Sequence, residues 1–300
     1  MLSEARRVDA ALRCCRHSRT APCSSHGGRH HANISEPVPR APALFWRDTA
    51  RVPLQGGGVL DLQLSGGIAR LTLDRPEARN AVPPEGWRPI AALAERALAD
   101  GARLVVLAGR GGAFCAGADL SEFARLRGDP DALRGFREAM CETFDRLAQL
   151  PIPIVASIDG ACFGAGVALA MACDMRIAAP SAKFGITPAK LGIAYPQGDI
   201  HRLVSLVGRG QAARLLFTAA TIDAAEAHRI GLVDAVSEDG GGAMFDAIIA
   251  NSAASLAALK RGIVLAAGGI HRDVEQDAEF DALIASDEMA VRLRALRNGR

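Results

Sequence analysis

The sequence predicts an α/β domain with a largely parallel sheet. Short, uncharged, β-rich runs alternate with stretches of helical apolar spacing, glycine or proline stands at the junctions, and composition does not break again after about residue 50. The first element is a β-hairpin from residue 59. Leu60, Leu62 and Leu64 alternate with polar residues, Gly66-Gly67 makes the turn, and Ile68, Leu71 and Leu73 continue in extended form. Over 83–100, Ile90, Leu93, Ala97 and Leu98 recur at helical spacing until Gly101 stops the helix. The run 104–107, followed by glycines, predicts a strand buried on both faces. A helix over about 130–149 ends at Pro151 and Pro153, and 152–158 predicts a second buried strand. A helix from about Gly166 and a strand over 176–179 follow, and from about 208 the pattern is mostly helical. One ordered domain over 51–300 is expected, with a core at about 59–240 and a helical C-terminal region at about 241–300.

Residues 1 to about 50 are of another kind. They hold four of the seven histidines, eight arginines, only four acids and no apolar periodicity, which predicts a disordered leader. Cys14, Cys15, His17, Cys23 and His26 lack the paired spacing that closes a tetrahedral metal site, so no metal is expected. Glu4 and Asp9 count against an organelle-targeting peptide.

Composition excludes several classes of function. A net charge of +2 supplies no long-range field for a nucleic-acid backbone or an anionic membrane. The uncharged stretch 160–173 is well short of the ~20 apolar residues a membrane helix needs. Aromatic residues make up 4% of the chain and include one tyrosine, Tyr195, so stacking is not the principal means of holding a ligand. Seven cysteines without dense regular spacing predict reduced thiols and a cytoplasmic protein, with Cys115, Cys141, Cys162 and Cys173 as small core residues.

Chemistry is expected at two glycine-rich turns, 111–120 and 159–166, each after a buried strand and before a helix. A helix start presents unpaired N–H groups and a positive dipole end, and small residues let a ligand approach closely. Two such turns side by side would aim two amides at one oxygen, the construction of an oxyanion hole. The same glycines also serve tight turns and close packing, and spacing alone leaves both readings open.

Several ordered motifs decide between them. Leu73-Asp74-Arg75-Pro76-Glu77-Ala78-Arg79-Asn80-Ala81, Ala113-Phe114-Cys115-Ala116-Gly117-Ala118-Asp119-Leu120, Ala170-Met171-Ala172-Cys173-Asp174-Met175-Arg176-Ile177-Ala178, Ala182-Lys183-Phe184-Gly185 and the later Gly231-Leu232-Val233 resemble the enoyl-CoA hydratase/isomerase (crotonase) superfamily from about residue 59 onward. The resemblance implies a crotonase-like spiral of ββα units with a helical C-terminal trimerisation region, forming a homotrimer or a dimer of trimers. It implies an acyl-CoA substrate, a stabilised thioester enolate and no cofactor beyond the CoA moiety. Carried over by position, the oxyanion donors are the amides of Ala118 and Ala165, the latter where the family usually has glycine. The turn Arg79 to Ala81 and the loop Ala116 to Leu120, including Asp119, match the CoA-contacting surface. Asp119 and Asp174 also read as structural carboxylates.

The departures from the family pattern bear on the reaction. The two glutamates of the hydratases fall on Ala168 and Pro188, which cannot transfer a proton, so a decarboxylase or another non-hydratase lyase is expected. The Thr187-Pro188 to Tyr195 pattern is similar to the methylmalonyl-CoA decarboxylase branch, in which a tyrosine faces the acyl carboxylate. Tyr195 is assigned that role or, alternatively, a backbone hydrogen bond. Asp199 and His201 are second candidates for proton transfer. Two other readings stay open: a hydratase or isomerase in which Asp199, Glu122 or another acid substitutes, and a non-catalytic acyl-CoA-binding protein. The acyl pocket is expected along the loop 121–131, with Arg125 and Arg127 facing water.

Overall fold

The computed structural model describes residues 47–298. In chain order its elements are β1 (Arg47–Pro53), β2 (Val59–Ser65), β3 (Ile68–Asp74), α1 (Trp87–Ala99), β4 (Leu104–Gly109), β5 (Ala113–Cys115), α2 (Leu120–Arg125) and α3 (Pro130–Gln149). There follow β6 (Ile154–Ile158), β7 (Ala161–Phe163), α4 (Ala165–Met171), β8 (Met175–Ala178), β9 (Lys183–Gly185), α5 (Gln197–Thr218), β10 (Thr221–Asp223) and α6 (Ala224–Arg229). The last elements are β11 (Ala235–Val236), α7 (Gly242–Ala250), α8 (Ala253–Ala267), α9 (Val274–Ile284) and α10 (Asp287–Asn298).

The strands form a larger sheet in the order β1-β2-β3-β4-β6-β8-β11 and a smaller one in the order β10-β9-β7-β5. The β1-β2-β3 meander is antiparallel, and β3 to β4, β4 to β6, β6 to β8 and β8 to β11 are parallel. Each turn of the chain leaves a long strand in the larger sheet, then a three-residue strand in the smaller one, then a helix. This is the α/β spiral of ββα units that the motifs imply. The sheet-to-sheet step is tight: a Cβ on Gly160 (φ +59°) would lie 1.8 Å from the Gly112 carbonyl oxygen.

Packing explains why the central strands read as continuous apolar runs. Val105 and Leu107 of β4 enter the main core, where Trp87 of α1 meets Phe144 of α3 edge-on at 5.5 Å. Leu104 and Val106 enter a second cluster closed by Phe245 of α7. Helix α3 starts where Asp129 accepts hydrogen bonds from the amides of Asp131 and Ala132, with Pro130 at the first helical position.

Several expectations change. Residues 47–50, assigned to the leader, begin β1, which hydrogen-bonds along β2 and so precedes the hairpin expected from residue 59. The leader's remaining assignments, including the Cys14 to His26 tract, lie outside the described residues. Strands β5, β7 and β9 were not expected, because three residues are too few to show a period. Helix α5 starts at Gln197, ahead of the helical pattern read from 208, and Gly208 (φ 74°, ψ 161°) kinks it, which breaks its periodicity in the sequence. Lys260 of α8, buried, pairs with Asp174 at 2.8 Å and donates to the Ile152 carbonyl at 3.0 Å. Asp174 also accepts from the Ile154 amide at 2.7 Å, so its carboxylate joins the C-terminal helices to the sheet. No single helix among the described residues is long and apolar enough to cross a membrane.

Candidate active site

The two glycine-rich turns come together. The loop after β5 and the start of α4 line one cavity of about 120 Å³, to which they contribute Ala116, Gly117, Ala118, Gly164 and Ala165. A Cβ on Gly117 (φ +105°) would stand 3.2 Å from the Ala165 nitrogen and 2.9 Å from the Phe163 carbonyl oxygen, so the two segments pass in contact and only glycine fits. Ala165 is the first residue of α4, where a helix leaves its amide without an internal partner. The Ala118 amide likewise meets no carbonyl among the described residues, whereas its neighbours are engaged: Val82 N–H donates to Gly117 and Asp119 N–H to Val82. Two free amides therefore border the same cavity.

The Arg75 to Ala81 turn holds this arrangement. Buried Asn80, at left-handed φ 57°, accepts from the Arg75 amide at 2.8 Å and donates to the carbonyls of Ala113 at 2.7 Å and Arg110 at 2.9 Å. The sequence motif contained Asn80 without assigning it a role; its one signal was asparagine's tolerance of left-handed backbone. Arg79, also left-handed, accepts from the Ala116 amide through its carbonyl at 2.9 Å and leaves its guanidinium exposed. Ala81 does not line the cavity; its carbonyl accepts from Arg75 Nη1 at 3.2 Å. Leu120, 54% exposed, forms part of the cavity wall.

Asp119 faces inward and shapes the loop. Its carboxylate lies 2.6 Å from Arg75 Nη1 and accepts from the Ser121 hydroxyl and amide at 2.5 and 2.9 Å at the start of α2. Burial would raise its pKa, but the bonds from Ser121, Arg75 and Glu122 outweigh that and hold it at about 2. The stabilisation this carries is complete above the ordinary carboxylate pKa and is lost as pH falls through about 2. Asp119→Ala is expected to cost about 3 kcal/mol in urea unfolding at pH 7, because it removes the one close, buried carboxylate from buried Arg75 and leaves it only exposed Glu77 at 3.7 Å and two carbonyls. A change below ~1 kcal/mol would contradict this account of the loop.

The other wall comes from α3, the segment before α5 and the first turn of α5: Phe136, Met140, Pro188, Leu191, Ile193, Tyr195 and Asp199. Among the described residues none of the expected 121–131 loop lines this cavity. Glu122 pairs with Arg125 at 2.9 Å instead of lining the cavity, and Arg125 and Arg127 are exposed. Sequence reading missed Phe136 and Met140, which are indistinguishable there from ordinary core positions of α3. His201 is exposed and outside the lining.

Tyr195 and Asp199 carry the polar chemistry of this wall. The Tyr195 hydroxyl donates to the Gly164 carbonyl at 2.5 Å, which is the backbone hydrogen bond that stood as the alternative to facing a carboxylate. Burial, with the nearby Asp199 charge, pushes the phenol well above its usual range, so it stays neutral. Ala168 is fully buried in the same core, and its amide partly offsets that rise. Asp199 sits in the first turn of α5, 1% exposed; its Oδ1 lies 3.2 Å from Arg202 Nη1, and its Oδ2 is buried with no partner among the described residues. Burial pushes its carboxyl up to about 6 despite Arg202. Among the described residues no group of His, Cys, Asp and Glu could hold a metal ion. The thiols of Cys115, Cys162 and Cys173 are buried and raised by burial, which leaves them inert, while Cys141 is half-buried.

Free amides of a loop and a helix start, facing an apolar cavity with one buried carboxylate, define a site that can stabilise a developing oxyanion beside a proton-transfer group. The chain belongs to the enoyl-CoA hydratase/isomerase family, whose model matches residues 63–283. Similar proteins include a short-chain-enoyl-CoA hydratase of Clostridium acetobutylicum, 38% identical over 59% of this chain and 68% of the relative. Among solved structures, an enoyl-CoA hydratase/isomerase family protein from Hyphomonas neptunium superposes with a TM-score of 0.76 at 35% identity, over 80% of this chain and 95% of that one. An enoyl-CoA hydratase/carnithine racemase from Magnetospirillum magneticum gives 0.76 at 29% identity, over 80% and 93%.

Proposed function

We propose that this enzyme shifts a double bond in an acyl-CoA thioester with a single proton-transfer group, converting a 3-enoyl-CoA to a 2-enoyl-CoA. The supporting observation is the state of Asp199: among the described residues it is the cavity's one carboxylate, with an unpartnered oxygen and a pKa of about 6. Asp199 takes a proton from C2, the thioester oxygen gathers negative charge between the amides of Ala118 and Ala165, and Asp199 returns the proton at C4. One carboxylate suffices because the same oxygen removes and restores the proton. Hydration asks more of the site, since water must be both held and activated. Ala168 and Pro188 offer no second group.

The decarboxylase reading retains the two amides, but the hydroxyl meant to hold the substrate carboxylate is engaged by Gly164. A second anion beside ionised Asp199 would also be repelled. The non-catalytic reading leaves a buried, unpartnered carboxylate oxygen without a use. Exposed Arg79 beside the Ala116 loop is suited to a CoA phosphate. The test is incubation with a 3-enoyl-CoA, crotonyl-CoA and methylmalonyl-CoA in D2O, with products separated by chromatography and read by mass spectrometry. Conjugated 2-enoyl product is expected from the first. Efficient hydration of crotonyl-CoA or loss of CO2 from methylmalonyl-CoA, without isomerisation, would overturn the reading.

The assembly is proposed on the same footing. Helices α9 and α10 bury no side chain, yet Phe280, Ile284, Val291, Leu293 and Leu296 are all exposed by half or more. A homotrimer or dimer of trimers would cover this face. Light scattering is expected to give three or six chains and Phe280→Asp a smaller species; a monomeric wild type would refute it.

A further inference from the structure

Arg202 is held between two carboxylates. On α5, three residues after Asp199, its Nη1 lies 3.2 Å from Asp199 Oδ1 and its Nη2 lies 2.5 Å from Asp145 Oδ1 on α3. The guanidinium is a rigid planar fork, so seating one prong on Asp145 fixes where the other can be. Through Oδ1 it sets the rotation of the Asp199 carboxylate and leaves Oδ2 buried and unpartnered on a residue that lines the cavity.

We infer that Arg202, anchored by Asp145, is a positioning residue for the proton-transfer carboxylate: it orients Asp199, and Asp145, by sharing the guanidinium, keeps Asp199 basic enough to take a proton. The inference rests on Asp199 being the acid/base group proposed above. Arg202 belongs to the same helix as Asp199. Helix α3 brings Asp145, Cys141 and exposed Arg137 to the cluster, and the segment before α5 brings the neutral Tyr195 phenol. Helix α4 has no ionisable residue, and Lys190 on the 188–191 turn is exposed. The Cys141 thiol is raised by burial and by Asp199, so it stays protonated where Asp199 titrates. Full pairing with Arg202 alone would pull Asp199 down towards the ordinary carboxylate range. An absent Arg202 would push it further up.

The two partners therefore shift the Asp199 midpoint in opposite directions, and the acid limb of kcat/KM follows those shifts only where Asp199 is the group that takes the proton, which a merely structural salt bridge would not move. The experiment labels aspartate at Cγ with 13C in the full chain, assigns Asp199 by its loss in Asp199→Asn, and follows its titration by NMR alongside the pH profile of kcat/KM for the 3-enoyl-CoA. In Arg202→Gln the Asp199 midpoint and the acid limb should both rise by about one pH unit; in Asp145→Asn both should fall by about half a pH unit; Arg202→Lys should restore most of the first change. Unmoved midpoints, or shifts of the same sign, would overturn the inference. Asp145 is exposed, so Asp145→Asn decides the matter even if Arg202→Gln fails to fold. If the midpoints move as expected but Asp199→Asn remains active, the proposed reaction mechanism fails while the Arg202 and Asp145 coupling stands.

Discussion

Asp199→Asn is expected to lower kcat/KM for isomerisation by at least ~100-fold while leaving the protein as stable as the wild type or more so. The two effects have one cause. Burial raises the folded-state pKa of Asp199 to about 6, above that of an unfolded aspartate, so the stabilising, protonated form is present at low pH and lost as pH rises through about 6. At pH 8 the wild type carries a buried negative charge that only Arg202 offsets, which costs about 3 kcal/mol by linkage. An uncharged amide of the same shape removes that cost. The wild-type kcat/KM should rise with pH through about 6, as the basic form appears, and the variant's residual activity should lack this limb. A loss of activity accompanied by an equal loss of thermal stability would point to a structural role instead. Retained activity would transfer proton movement to another group.

Ala165→Pro is expected to reduce kcat by ~100- to 1000-fold with little change in folding. Proline is tolerated at the first residue of a helix, where its missing N–H has no internal partner to lose and its fixed φ suits the helix. Ala165 occupies that position in α4, after Gly164, which has no Cβ to clash with the ring. The substitution thus removes one proposed oxyanion donor and little else. Ala165→Gly keeps the amide and should keep the activity, which separates loss of the donor from any change in the room available to the acyl chain. Equal activity in the proline variant would exclude the Ala165 amide from the anion site.

The sequence disclosed what repeats or what a motif of fixed length can carry. Alternation at Leu60, Leu62 and Leu64 located the hairpin, the uncharged runs at 104–107 and 152–158 located the buried strands, and ordered motifs from Leu73 to Val233 identified the family. Strands of three residues carry no period, so the smaller sheet was invisible, as was β1, which is defined by pairing with β2. The Gly208 kink hid the first half of α5 and with it the secondary structure around Asp199.

For the site, the family resemblance carried the oxyanion donors onto the amides of Ala118 and Ala165 and the hydratase glutamates onto Ala168 and Pro188, and the residues around them offered Tyr195 and Asp199 as candidates. The sequence by itself ranked Tyr195 ahead of Asp199, without the partners from elsewhere in the chain on which such a ranking depends. Gly164, thirty-one residues before Tyr195, accepts the phenol's hydrogen bond, while Arg202 satisfies only one oxygen of Asp199 and divides itself with Asp145 on α3. Residue types and their order fix which chemical groups are present. Which of them remains unpaired in a buried cavity, and at what pKa, is set by desolvation and by long-range neighbours, and those exist only in the folded chain.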